Sequence, residues 1–436
     1  MLTAYEGLHP FWGDIHNHCS IGYGHGSIED AFQNARLQLD FACVTVHAHW
    51  PDIPTGSERL ASVVDYHRHG FAQTAKQWQR LSAIVEDQNR PGQFVTFHGF
   101  EWHSLQYGDH NVYFRDSGGE IIRADSLDGM RQQLRRLRSQ GVESMVLPPH
   151  IGYRQGYRGI DWSAFTPEFS PVVEIMSMHG MSESDDVPQP YLHTMGPLDW
   201  QSSYQYGLAQ GHIVGVFGST DHHSAHPGSY GHGRLGVWAE GLTRDAIWAA
   251  IQARRTVALT GDNIGLAFAL NDQPLGAVLD ATPERQVQIE VNGGDALDYV
   301  ELVHNNRVLR RWNGRRTDMI NWDEPLKVHF EVGWGNKNEP VDWEVNLAVK
   351  GGELLVIEPR FRGYELVAPQ AKEEATYAFS HWQPQGEQGL YLHTRTWGNP
   401  TTSTSNTQGV CLTVRGTERT KVVGTVNGQR CEARLI

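Results

Sequence analysis

Histidines and carboxylates recur in this chain at spacings that suit metal binding. His16 and His18 stand two apart, and Asp221 and His223 repeat that relation much later. Residues i and i+2 of an extended strand face the same side, so each pair can hold one ion together. Imidazole suits zinc, iron or manganese, and carboxylates favour harder ions such as manganese. Glu101, His150, His47, His110 and His25 (the last in the glycine-rich stretch Gly22–Gly26) complete the candidate ligands. Glu101 offers two oxygens and can bridge two ions. Paired ions lower the pKa of a bound water and clamp the attacking and leaving oxygens of a substrate, so the chemistry expected is hydrolysis. His49, His103 and His222 are expected to orient ligands. His67 and His69, inside a predicted helix, are read as ordinary packing or surface residues.

The elements that must position these groups follow from hydrophobic spacing. Apolar runs at 11–15, 41–46, 94–100, 111–114, 144–147, 172–176 and 213–218 predict strands, most of them buried on both faces. Nearly every one ends in or abuts a candidate: Asp14 to His18, His47, Glu101, His110, His150, Glu174 with His179, and Asp221 to His223. Helices are predicted from a capping box at Ser27, over 58–86, over 126–138, and after Thr243. Alternation of strand and helix predicts a parallel α/β barrel. The site of such a barrel lies at the C-terminal ends of its strands, where residues distant in sequence meet. From about Ile264 helical spacing fades into short alternating segments. Asn-Asp, Asn-Gly and Asn-Asn turn signals separate them, as in a β-sandwich. The expected domains are therefore a catalytic barrel over 1–263 and a β-rich accessory domain over 264–436.

Bulk composition narrows the partners. The formal net charge of −14 disfavours nucleic acid, because an acidic chain repels phosphate backbones. The partner expected is a small-molecule substrate. Four cysteines without a CxxC pair do not make a disulfide framework. No apolar run approaches the roughly 18 residues of a membrane span, and the first twelve residues lack a signal-peptide pattern. These features predict a cytoplasmic protein that does not enter membranes. Oligomeric state is not readable. GxxxxGK[ST], HExxH and GxSxG are absent.

Several segments together resemble the PHP (polymerase and histidinol phosphatase) superfamily of metallohydrolases, and within it DUF3604 and its carbaryl-hydrolase-like (CehA/McbA) relatives. They are Gly13–His18, Leu39–Ala48, Gly99–Trp102, His110–Val112, Val173–Ile175, Gly218–His223 and Thr256–Asp262. The resemblance covers roughly residues 10 to 265. It implies a distorted (β/α)7 barrel holding two or three divalent ions, manganese, zinc or iron(II). One ion would take His16, His18, Glu101 and Asp221; a second Glu101, His110 and His150; a third His25, His47 and His223. Where the family has Thr-Asp-His, this chain has Thr45-Val46-His47.

Two reactions are compatible with that site. Phosphoester cleavage is the common activity of the superfamily. Arg154 and Arg158 follow His150, and guanidinium groups bind phosphate in bidentate fashion. Cleavage of a carbamate, carboxylic ester or glycosidic bond fits Trp12, Trp50, Trp102 and Trp162, which lie near the expected mouth and would favour an aryl or sugar body. In either case the ions would activate water, with His179 as candidate general acid. The alternative from another class is a non-catalytic metal- or carbohydrate-binding protein.

Overall fold

The computed structural model describes residues 2–191, 195–314, 320–333, 340–363, 380–396 and 407–435. The described residues fall into two compact units, the first ending at Asn292 and the second starting at Gly293.

The first unit is built on mixed sheets. Its strands are β1 (His9–Asp14), β2 (Phe41–Cys43), β3 (Val46–His49), β4 (Val95–Trp102), β5 (His110–Phe114), β6 (Ser144–Leu147), β7 (Val172–Ser177), β8 (Gly180–Met181), β9 (Gly215–Gly218), β10 (Arg234–Ala239), β11 (Thr256–Leu259), β12 (Gly265–Leu270), β13 (Gln273–Pro274) and β14 (Val287–Asn292). The helices are α1 (Ile28–Arg36), α2 (Ala61–Gln88), α3 (Leu127–Ser139), α4 (Tyr204–Ala209) and α5 (Arg244–Gln252). The main sheet runs β11-β10-β1-β2-β4-β5-β6 with β3 beside β4; β8-β7-β9 form a second sheet. Bonds from Val146 N to Phe169 O and from Glu174 N to Pro148 O link the β6 and β7 ends, so the sheets curl around a common interior.

The α/β character stands, but seven regular βα units do not appear. β1, β2, β4 and β3 pair in parallel, whereas β5 and β10 run against their neighbours. The reason at β5 is chain length. A parallel return needs a crossover of a dozen or more residues, and the 103–109 connection is too short. β5 therefore starts at the rim where β4 ends.

Local chemistry explains the helix starts. Ser27 accepts from Asp30 N and Asp30 reaches back to the Ser27 amide, the reciprocal capping box. Ser126 and Thr243 cap α3 and α5 in the same way, by accepting from Gly129 N and Ala246 N. The apolar faces of α1, α2 and α3 bury Phe32, Leu81, Val85, Met130 and Leu134 against Phe100 and Val112 of the sheet. A separate core gathers Phe41, Phe97, Phe217, Val237, Ile247 and Trp248. Each such side chain stabilises the unit by about 1.5–3 kcal/mol, enough to hold a polar site at the strand ends.

The second unit is β-rich. One antiparallel sheet has five strands, with Val341–Lys350 at its centre, and another has three, with Gln408–Arg415 between its neighbours. Asn305-Asn306 and Asn427-Gly428 make two-residue hairpin turns with positive φ throughout, as the turn signals require. Among the described residues no helix is long and apolar enough to cross a membrane.

Candidate metal centre

β1 ends at Asp14, and the chain runs straight on through His16 and His18. Asp14 fixes this exit: its Oδ1 accepts from His16 N at 3.0 Å, and its Oδ2 accepts from Thr220 Oγ1 at 2.5 Å and Gly228 N at 2.8 Å. The exits of β1 and β9 are thereby tied together. His18 N donates to His222 O at 2.7 Å, and Asp221 N donates to His16 O at 2.6 Å. Two candidate ligand pairs far apart in sequence thus become neighbours.

Glu101, near the end of β4, lies at the middle. Its Oε1 is 3.8 Å from His16 Nε2 and 3.5 Å from His150 Nε2. Its Oε2 is 3.5 Å from His18 Nε2, 3.4 Å from His47 Nε2 and 3.8 Å from His103 Nε2. The two oxygens therefore face two different sets of imidazoles. Asp221 Oδ1 lies 2.8 Å from His18 Nε2 and 3.3 Å from His16 Nε2, while Oδ2 is 2.6 Å from His179 Nε2. Donor atoms close enough to share an ion occur in overlapping groups: His16-His18-Glu101, His16-His150-Asp221, His18-His47-His223, His47-Glu101-His103 and Glu101-Asp109-His150.

Nitrogen and carboxylate donors in this mixture suit divalent cations of the zinc, iron and manganese type. Among the described residues the buried His16 Nε2, Glu101 Oε1 and His103 Nε2 have no hydrogen-bond partner, which is costly unless a cation meets them. Outer partners hold the rings. Glu174 Oε2 is 2.8 Å from His16 Nδ1 and its Oε1 accepts from His150 N at 2.9 Å. His223 Nδ1 lies 2.7 Å from Asp221 O, leaving Nε2 for the interior. His150 and Asp221 both have positive φ, 29° and 55°. Such strain in non-glycine residues gathers at functional sites.

The electrostatics are those of a buried charge network. Against the desolvation of burial, the carboxylates of Asp221 and Glu174 raise His16 well above the usual histidine value. Burial, reinforced by His18, pushes His47 well below it. His103 and the other surrounding imidazoles overcome burial and hold Glu101 well below the ordinary carboxylate range. Glu101 and Asp221 are thus held in the anionic form and His47 in the neutral one, the forms that bind cations, whereas His16 must give up a proton to do so.

The predicted residues do not all meet. His16, His18, His47, Glu101, His150, Asp221 and His223 come together. His110 does not join them. Its Nδ1 lies 3.0 Å from Gly108 O and its ring packs on Trp102. Asp109 stands in its place, because consecutive extended residues point to opposite sides. His25 joins no group either; its backbone N donates to His223 O at 2.7 Å, so its loop supports the centre. His103 belongs to the groups, beyond the orienting role expected of it. His179 lies at the centre's edge, with Nδ1 2.6 Å from the Tyr153 hydroxyl.

Arg158 and Arg154 part company. Arg158 is drawn inward, where Asp109 and His103 hold it and Trp50 covers it at 5.2 Å. Arg154 is exposed, paired with Asp199 at 2.9 Å, and lines a separate cleft with Trp162. Arg154 therefore lies away from this centre, where it cannot meet a phosphate bound there. A cavity of about 410 Å³ opens on His47, Glu101, His150, His179, Asp221 and His223. Its other walls include Tyr23, Trp50, Leu60, Tyr66, Tyr157 and Arg158. Of the tryptophans, Trp50 reaches this cavity; Trp102 is buried and donates to Ala124 O. His67, read from sequence as ordinary, also lines it. Asp109 adjoins the candidate His110, and nothing in the sequence says which of the two neighbours faces inward.

The model of DUF3604, a family of unknown function, matches residues 46–136, the stretch bearing His47, Glu101, His103 and Asp109. An uncharacterized protein of Chlamydia pneumoniae is 23% identical over 259 residues, 53% of this chain. The match spans 40% of that relative's length. Two solved structures are similar at 15% identity. One is a two-domain protein from Bacteroides vulgatus described as containing a predicted PHP-like metal-dependent phosphoesterase; it covers 76% of this chain and 93% of its own, with a TM-score of 0.37. The other is PsfC from Pseudomonas syringae, covering 57% of this chain and 91% of its own, with a TM-score of 0.36.

Proposed function

We propose that the chain is a metal-dependent hydrolase of small-molecule esters, with phosphoester cleavage its first reading. The observation that carries this is Glu101, whose two oxygens face separate imidazole sets inside one cavity. Divalent ions bound there would lower the pKa of a water and neutralise charge on the substrate. The chain's own part is to offer overlapping donor sets that share Glu101: His16 and His18, with Asp221 beside them, and Asp109 with His150. His47 and His223, with His18, offer a third position. Arg158 places a fixed positive charge on the cavity wall, where a phosphoryl oxygen would be welcome. His179 lies against Asp221 and Tyr153 and faces the cavity, a position from which a proton can pass to a leaving group.

The resemblance to PHP enzymes favours phosphate. A second reading, cleavage of a carbamate, carboxylic ester or glycoside, is favoured by the aromatic side of the cavity and by the engagement of Arg158 with Asp109. Elemental analysis of protein purified without added metal, followed by assay on p-nitrophenyl phosphate, acetate and glycosides, separates them. His16→Ala with His18→Ala is expected to lose bound metal and turnover together. Unchanged turnover in that variant would refute the assignment, and bound metal without hydrolysis of any substrate would favour a non-catalytic metal protein.

A further inference from the structure

The start of α2 and the turn before it present Leu60, Val63, Tyr66 and His67 to the cavity at helical spacing. His67 is 2% exposed, and its Nδ1 lies 2.7 Å from the Val63 carbonyl one turn earlier. A carbonyl only accepts, so Nδ1 carries the proton, and in the neutral ring Nε2 keeps its lone pair. Among the described residues no donor reaches that Nε2. Nor does His67 belong to any group of donor atoms able to share an ion, among the described residues. Its ring packs against Tyr23 at 4.6 Å, Tyr66 at 4.7 Å and Trp50 at 4.9 Å. A buried acceptor without a donor is unfavourable as it stands, and the residue that carries it is part of the lining of a cavity with aromatic walls.

We infer that His67 is a specificity determinant: its Nε2 accepts a hydrogen bond from a hydroxyl or N–H donor on an aromatic ligand body held by Tyr23, Trp50 and Tyr66. Calling that ligand the substrate rests on the hydrolase reading above; the recognition itself does not. A rigid acceptor set in an apolar wall discriminates by rejecting ligands that lack the donor or place it elsewhere.

The test titrates the metal-loaded full chain with benzyl alcohol and with benzyl methyl ether, followed by ligand-observed NMR. The two share an aryl body and differ in the donor. The alcohol is expected to bind roughly three- to ten-fold more tightly, the worth of one neutral hydrogen bond. His67→Leu should erase the difference while keeping ether affinity, and His67→Gln, whose amide oxygen accepts, should restore part of it. If the leucine variant fails to bind the ether, the glutamine variant decides alone: retained alcohol preference supports the inference and its complete loss overturns it. Equal affinities in the parent chain, no binding of either compound, or a preference that survives His67→Leu also overturns it. These outcomes are read without turnover, so failure of the hydrolase reading shows separately, in the assay of the His16 and His18 variant.

Discussion

Asp221 shows how much a single residue carries at this centre. Its Oδ1 serves His16 and His18, its Oδ2 serves His179, and its main chain sits at φ 55°. After glycine, asparagine and aspartate tolerate that left-handed region best. Asp221→Asn therefore keeps the backbone conformation and removes only the charge and one acceptor. Outer partners of metal ligands are worth 10–100-fold in affinity or activity, and a direct carboxylate at least as much. The variant is expected to fold with a far-UV spectrum like the parent's while turnover and metal affinity fall by roughly 100-fold or more. Parent-like metal binding in a folded Asp221→Asn protein would remove Asp221 from the ligand set. At this scale the sequence was legible where spacing was informative. The i, i+2 pairs, Glu101 and His150 were readable because each sits where a strand gives out. Asp109, His110 and His67 were not, because which way a side chain turns depends on β5 reversing and on the packing of α2.

At the scale of elements, the centre depends on strand ends being held in register. Asp14 does this for β1 and β9, although it belongs to none of the donor groups. Burial raises its pKa, against the bonds from Thr220, Gly228 and His16 that favour the charged form. Replacing it leaves buried donors without an acceptor, each costing about 1–3 kcal/mol. Asp14→Ala is expected to lower stability by about 3 kcal/mol or more by urea unfolding and to weaken metal binding without touching a ligand. A variant that unfolds earlier yet binds metal as tightly as the parent would show that register does not matter to the centre. Most strands and the capped helices were legible because apolar runs and caps are local signals. The break between β2 and β3, within one apolar run, was not. β10 and β11 escaped notice as well, since their short runs adjoin glycine-rich and helical stretches. The antiparallel sense of β5 is a consequence of a short connection, and hydropathy carries no direction.

The acid stability of the whole molecule follows from what its first unit buries. Burial pushes His226 down to about 3 and His110 down to about 4, and it lowers His98 too, despite the Glu86 carboxylate. In the unfolded chain each titrates near 6.5. Between that value and the folded one, the unfolded state binds the extra proton. The stability these groups supply is thus present above about pH 6.5 and lost as pH falls towards 4 and 3. His16 and His150 carry the opposite sign, because Asp221, Glu174 and Glu101 raise them against burial. Their share is full below about pH 6.5 and lost as pH rises through the folded value. Cations at the centre would remove that share, since metal-bound imidazole carries no proton. Metal-loaded protein is therefore expected to lose stability more steeply on acidification than chelator-treated protein. His226 isolates the buried-histidine part, for it is buried and belongs to none of the donor groups of the centre. His226→Gln should flatten the slope between about pH 6 and pH 4 by up to about 1 kcal/mol per pH unit. Urea unfolding at stepped pH measures it directly. A slope identical to the parent's would mean that His226 takes up its proton in the folded state as readily as in the unfolded one, and that the interior around it is wetter or more mobile than its packing indicates.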